Sequence, residues 1–177
     1  MKKLILILII ALISVSCKST KNIRSKRQHT YSKKTAKQTK QATTKSSETN
    51  NTAFNIIKNA NYYKGTKYKY GGTTKQGMDC SGLIYVAYKK ENILLPRVSR
   101  DMATKGKSIS LNKAKKGDLL FFKTSKRNRI NHVGLVTKIV NGEIFFIHAS
   151  SSRGVVVSSM NSKYYKNAFV LAKRIIK

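Results

Sequence analysis

Histidine, cysteine and acidic side chains are all scarce in this chain. Its 177 residues include three histidines, two cysteines and six aspartates and glutamates together. One histidine, His29, sits in a lysine-rich stretch with almost no aliphatic residues, so the set falls short of a zinc site. No metal or other cofactor is expected. Set against 37 lysines and arginines, the few acids leave a formal net charge of +31. Such a chain is drawn to polyanions. Long apolar runs are also rare. The unbroken one, Leu4 to Ile13, is too short for a spanning helix, which needs roughly 20 residues. Internal repeats are absent, and nothing marks a second folded domain.

That run belongs to the opening "MKKLILILIIALISVSC", a positive start, an apolar stretch and small residues. This is the layout of a secretory signal peptide, residues 1–16. The end of it resembles the lipobox of bacterial lipoproteins, in which the cysteine, here Cys17, becomes the lipidated first residue. Ser14 departs from that pattern, since an aliphatic residue usually stands there. Export argues against nucleic acid as the polyanion and for envelope polymers and lipid headgroups. If Cys17 carries lipid, Cys80 is left without a partner, and an odd cysteine in an exported protein points to intermolecular pairing or a reactive thiol.

Residues 17–52 are rich in lysine, serine and threonine, with Glu48 as their one acid. They bury too little apolar surface to offset ordering entropy and are expected to form a flexible basic tether. Residues 53–177 read as one domain. In "AFNIIKNANYYKG" helical spacing puts Phe54, Ile56, Ile57, Ala60 and Tyr63 on one side, ending at Gly65. After the glycine loop "YGGTTKQG", "DCSGLIYVAYKKEN" predicts a helix with Asp79 as N-cap and Leu83, Val86 and Ala87 as the buried stripe. A short helical turn capped by Ser99 is expected next. "DLLFF", "HVGLVTKIV", "EIFFIHAS", "GVVVSS" and "FVLAKRII" then read as strands. Helices first and strands afterwards predict an α+β domain with an antiparallel sheet.

Cys80 thus falls in the first turn of a helix, where free N–H groups favour a thiolate. A nucleophilic thiol also needs a base, usually histidine, oriented by a third group. His132 and His148, on adjacent strands of the facing sheet, are the two candidates. Their cooperation depends on the turn between them. A two-residue Asn141-Gly142 hairpin would pair Leu135 with His148 and place the histidines on opposite faces. A three-residue loop, Val140 to Gly142, with a G1 bulge puts Gly134 opposite His148 and both imidazoles on one face. The three-residue loop is the expectation.

"YKYGG", "GMDCSGLIYVAY", "LPRVSRDM", "KKGDLLFF", "NHVGLV" and "IHASSSRGVVVS" together resemble the successive motifs of the NlpC/P60 cysteine peptidases, from about Ala53 to the C-terminus. The resemblance implies a papain-like α+β fold and hydrolysis of peptidoglycan stem peptides. It makes Cys80 the nucleophile, His132 the base and His148 its orienter. Tyr68, or its neighbour Tyr70, would assist the oxyanion site. Asp79, Ser81 and Ser99, with Arg97 beside them, would line substrate subsites, although helix capping accounts for Asp79 and Ser99 equally. The hairpin between the histidines is longer than the family's usual one, and Ser150 and Ser151 stand near His148. Both the γ-D-glutamyl to diaminopimelate bond and the D-alanyl cross-link are within the implied range. The single-domain lipoprotein layout resembles outer-membrane murein endopeptidases, which implies a monomer anchored in the envelope and facing the periplasm. The alternatives are a catalytically silent wall-binding lipoprotein and, on charge alone, a nucleic-acid binder.

Overall fold

The computed structural model describes residues 47–126 and 128–177. Cys17, the leading segment and the tether as far as residue 46 lie outside the described residues. Helix α1 covers 47–61, so residues 47–52, expected in the tether, are helical. Helical hydrogen bonding propagates past the last packed residue, and Thr49 Oγ1 donates to the Lys177 carbonyl, 2.6 Å, at the helix start. Ala53, Ile56 and Ala60 point inward, followed by Tyr63. Phe54 is 66% exposed, contrary to the sequence reading. At about 100° per residue it lies well round the helix from Ala53 and Ala60.

The glycine loop holds a small antiparallel pair, β1 (Thr73–Thr74) and β2 (Gly77–Met78), too short to show an alternating pattern in the sequence. Helix α2 follows at Cys80–Lys89, with Leu83, Ile84, Ala87 and Tyr88 buried and Val86 only partly so. The Tyr88 hydroxyl donates to the buried Gly117 carbonyl at 2.6 Å, fixing the far half of α2 against the turn that enters the sheet. Helix α3, Ser99–Met102, starts one residue before its expected cap position would allow. Val98 is the N-cap and no side chain caps the turn, so the capping role expected of Ser99 is not the one it has.

Six strands make the main sheet: β3 (Lys107–Ile109), β4 (Leu119–Phe122), β5 (His132–Val140), β6 (Glu143–Ser150), β7 (Gly154–Ser159) and β8 (Phe169–Arg174). Their order is β3-β8-β4-β5-β6-β7, every pairing antiparallel. The molecule is therefore α+β, as the pattern predicts. Strand β3, a 3-10 turn at Leu111–Lys113 and helix α4 (Lys163–Ala168) carry weak apolar patterns and were not foreseen. Alternation along β4 divides the core. Leu119 and Phe121 join Val133, Leu135 and Ile147 beneath α1 and α2, while Leu120 and Phe122 join Val136, Phe146 and Tyr165 on the other face.

The β5–β6 hairpin differs from the expected one. Val140 faces Glu143, so the loop has two residues, Asn141 and Gly142, with φ of 49° and 79°. Positive φ at both central positions is the type I′ turn for which Asn-Gly is suited. Parity changes further up the strand instead. The register shifts between Val136 and Lys138, leaving Thr137 as a bulge. Beyond it Leu135 faces Ile147 rather than His148. The loop expectation is thus corrected, but the consequence drawn from it stands, because either device inserts one residue on the β5 side.

Candidate active site

Asp79 organises the start of α2. One carboxylate oxygen accepts from Gly82 N at 2.6 Å as the helix cap, and the other from Gly71 N at 2.8 Å in the glycine loop. That loop presses close. A Cβ on Gly82 would stand 2.2 Å from the Gly72 carbonyl oxygen. The glycine of "DCSG" is therefore a steric requirement. Arg97 lays its guanidinium fork on the same carboxylate, at 2.9 Å and 2.8 Å, and donates to Ser81 Oγ at 3.0 Å. Burial alone raises the Asp79 pKa, but Arg97 and the two backbone N–H groups more than offset this and hold it below the usual value. Arg97, Asp79 and Ser81 form one unit rather than separate contacts.

A bridge between Tyr68 and Met78 sets Tyr68 beside the cysteine. Of the two tyrosines, Tyr68 is half-buried and borders both sides of the cleft around Cys80, whereas Tyr70 is 89% exposed and borders one. One side of the cleft carries Asp79, Ser81, Arg97, Ser99 and two further arginines, Arg100 and Arg129. The other carries His132, Tyr165, Arg153 and a run of serines that includes Ser150 and Ser151. Cys80 and Asn131 border both.

The imidazoles do not lie beneath α2, as the facing-sheet reading had them. They pack on the other face, His132 against Phe122 and His148 against Phe146 and Tyr165. His132 is the first residue of β5, and at that end of the sheet the two faces meet around Cys80. His132 Nε2 stands 3.0 Å from His148 Nδ1. On its other side, His148 Nε2 meets Ser158 Oγ at 2.9 Å and Tyr165 Oη at 3.1 Å. Ser150 Oγ is engaged with Ser152.

Three participants were not read from the sequence. Asn131 holds the preceding loop by accepting from Thr124 N at 2.7 Å, and its carbonyl receives the Cys80 thiol at 3.9 Å. Its position in "NHVG", just before His132, was the available signal. Ser158 closes the quoted stretch "IHASSSRGVVVS" as one hydroxyl among several, and Tyr165 carried no signal.

Electrostatics correct a second expectation. The Cys80 thiol is pushed up to about 11 by burial, and then by the Asp79 charge, against smaller help from the N–H groups of Val133, Ser81 and Cys80 itself. Burial pushes His132 down to about 4. His148 falls to about 3 through burial and then the neighbouring His132 and Arg153. At rest the site holds a neutral thiol and two neutral imidazoles, because desolvation outweighs the helix N-terminus. Burial thus works against the thiolate that the helix start favours. Among the described residues, no three His, Cys, Asp or Glu side chains stand together as a metal-binding group.

Comparison with known proteins agrees with this architecture. The murein DD-endopeptidase MepS/murein LD-carboxypeptidase of Escherichia coli is 37% identical over 115 residues, 64% of this chain and 58% of that protein. The probable endopeptidase NlpC of E. coli is 40% identical over 114 residues, 64% of this chain and 71% of that protein. The crystal structure of a Bacillus cereus NlpC/P60 family protein superposes with a TM-score of 0.64 at 28% identity, covering 71% of this chain and 40% of that one. The chain thus spans somewhat over half the length of the first of these relatives. The NlpC/P60 family pattern matches residues 65–174, and the chain belongs to that family.

Proposed function

We propose that this protein is a cysteine peptidase that hydrolyses amide bonds in peptidoglycan stem peptides, with Cys80 as nucleophile, His132 as base and His148 as orienter. The observation that carries this reading is the 3.0 Å contact between His132 Nε2 and His148 Nδ1, which leaves Nδ1 as the free ring nitrogen of His132, a residue that borders the same cleft as Cys80. His132 takes the thiol proton as the sulfur attacks the scissile carbonyl carbon. The oxyanion is met by the Cys80 N–H and the Tyr68 hydroxyl. His132 then protonates the leaving amine and the C–N bond breaks. Water, deprotonated by His132, hydrolyses the thioester and restores the thiol.

For the bond itself, the relative named a murein DD-endopeptidase favours the D-alanyl cross-link. Mass spectrometry of peptidoglycan digested by the full chain in detergent tests both levels. Loss of cross-linked muropeptides in favour of monomers is expected, with no products from Cys80→Ala. Disaccharide dipeptides would move the cut to the γ-D-glutamyl to diaminopimelate bond. Unchanged stems would leave the wall-binding alternative in its place.

We further propose that Cys17 carries lipid and holds the domain in the envelope at the outer membrane, facing the periplasm. The layout of the opening segment supports this. Metabolic labelling with a radioactive fatty acid should mark the wild-type chain and not Cys17→Ser. Equal labelling of both removes Cys17 from the role.

A further inference from the structure

We propose that Tyr165 and Ser158 are positioning residues whose hydroxyls together hold His148 in the tautomer protonated at Nε2, the one neutral form that leaves His132 able to accept the thiol proton. This rests on the triad reading above. It adds two residues that the triad reading leaves without a role, one on α4 and one at the end of the edge strand β7.

Proton accounting carries the argument. A neutral imidazole has one N–H and one bare nitrogen. The contact between His132 Nε2 and His148 Nδ1, 3.0 Å, therefore contains a single proton. If His148 Nδ1 owns it, His132 Nε2 must be bare, and the proton of His132 sits on Nδ1. That imidazole cannot act as a base toward Cys80. If His132 Nε2 owns it, His132 Nδ1 is bare and competent, and the proton of His148 sits on Nε2. The choice is therefore made at His148 Nε2, on the side away from the cysteine.

His148 is completely buried, so this N–H needs a protein acceptor. Two oxygens stand within reach of that one nitrogen, Ser158 Oγ at 2.9 Å and Tyr165 Oη at 3.1 Å. An N–H is shared readily between two acceptors, whereas a bare ring nitrogen offers one in-plane lone pair to one hydroxyl. The Tyr165 ring sits edge-on to His148, with centroids 5.1 Å apart, so its oxygen is held in place. Burial, then His132 and Arg153, all disfavour a charge on His148. The residue that orients the base is thus itself oriented, with hydroxyls doing at its far nitrogen what a carboxylate does in other triads.

The test uses the full chain, Tyr165→Phe, Ser158→Ala and the double variant, all of which conserve ring or backbone packing. ¹⁵N NMR of the wild-type imidazoles should show His148 bare at Nδ1 and protonated at Nε2. The double variant should shift His148 toward the Nδ1-protonated form and lower kcat by about 10- to 100-fold with KM nearly constant. Each single variant, which keeps one acceptor, should lose far less, giving a strongly non-additive cycle. A wild-type His148 protonated at Nδ1 overturns the proposal whatever the activity. A folded double variant with wild-type kcat also overturns it. The predicted tautomer in a protein that cuts no stem peptide would instead remove the peptidase reading and leave the positioning role standing.

Discussion

Replacing His132 with alanine is expected to lower kcat on stem peptides by about 10⁴-fold or more, with KM little changed. The size follows from the resting state. With the thiol at about 11 and His132 at about 4, neither group is charged at neutral pH. Only about 10⁻⁴ of the thiol would be ionised at pH 7 without help, from the gap between that pH and its pKa. On the proposed reading the nucleophile is therefore made during attack, by proton transfer to the imidazole, and not stored beforehand. Removing the imidazole removes the route. The same reasoning sets the pH profile of the free enzyme. Alkylation of Cys80 by iodoacetamide should be slow at neutral pH and keep rising beyond pH 9, since the thiol loses its proton only as pH approaches about 11. A rate already at its plateau near pH 5 would mean a stored thiolate–imidazolium pair and contradict the neutral resting state.

The parts of this site that were legible in the sequence are those fixed by local chemistry. Asp79 was legible as a cap because an aspartate side chain before an apolar helical stripe can accept from the first free N–H groups, and it places Cys80 in the first turn. The five long strands were legible because period-two patterns of Val, Ile and Phe need no tertiary information. Parity between His132 and His148 was legible only as a requirement. The sequence shows that one extra residue must enter the hairpin, but Asn141-Gly142 suits the two-residue turn that forms, and nothing local marks Thr137 as the bulge. The sheet face that receives the imidazoles was hidden for a related reason. His132 stands at the end of its strand, where the cleft joins the two faces, and alternation alone does not say which neighbours it meets. Burial had the largest consequence and was the least visible. A helix N-terminus is a local feature that favours thiolate, whereas desolvation depends on Tyr68, Asn131 and the whole fold around the sulfur. Arg97 shows the same limit. Its motif position was legible, but its bidentate grip on Asp79 emerged only from the folded loop.

Acid should unfold this domain through its two buried imidazoles. His132 is 9% exposed and His148 not at all, and their folded pKa values of about 4 and about 3 lie below the ordinary histidine value of 6.5. When a folded pKa is depressed, the unfolded chain binds protons that the native state refuses, so stability is complete above about pH 6.5 and falls as pH drops toward the folded values. Two such groups together give a total loss on the order of 5 kcal/mol by pH 4. That is comparable with the whole stability of many domains, about 5–15 kcal/mol. Asp79 works in a lower window. Its pKa is lowered in the fold, so its contribution persists until pH falls below the ordinary value of 3.8. The histidines therefore own the range from about pH 6.5 to 4. Urea unfolding midpoints at pH 7, 6, 5 and 4.5 should fall steeply for the wild type and much less for a His132→Gln, His148→Gln double variant, whose amides do not titrate. A wild-type midpoint that stays level down to pH 4.5 would mean that the imidazoles are charged or solvated in the native state, and would undo both the neutral resting site and the proton accounting built on it.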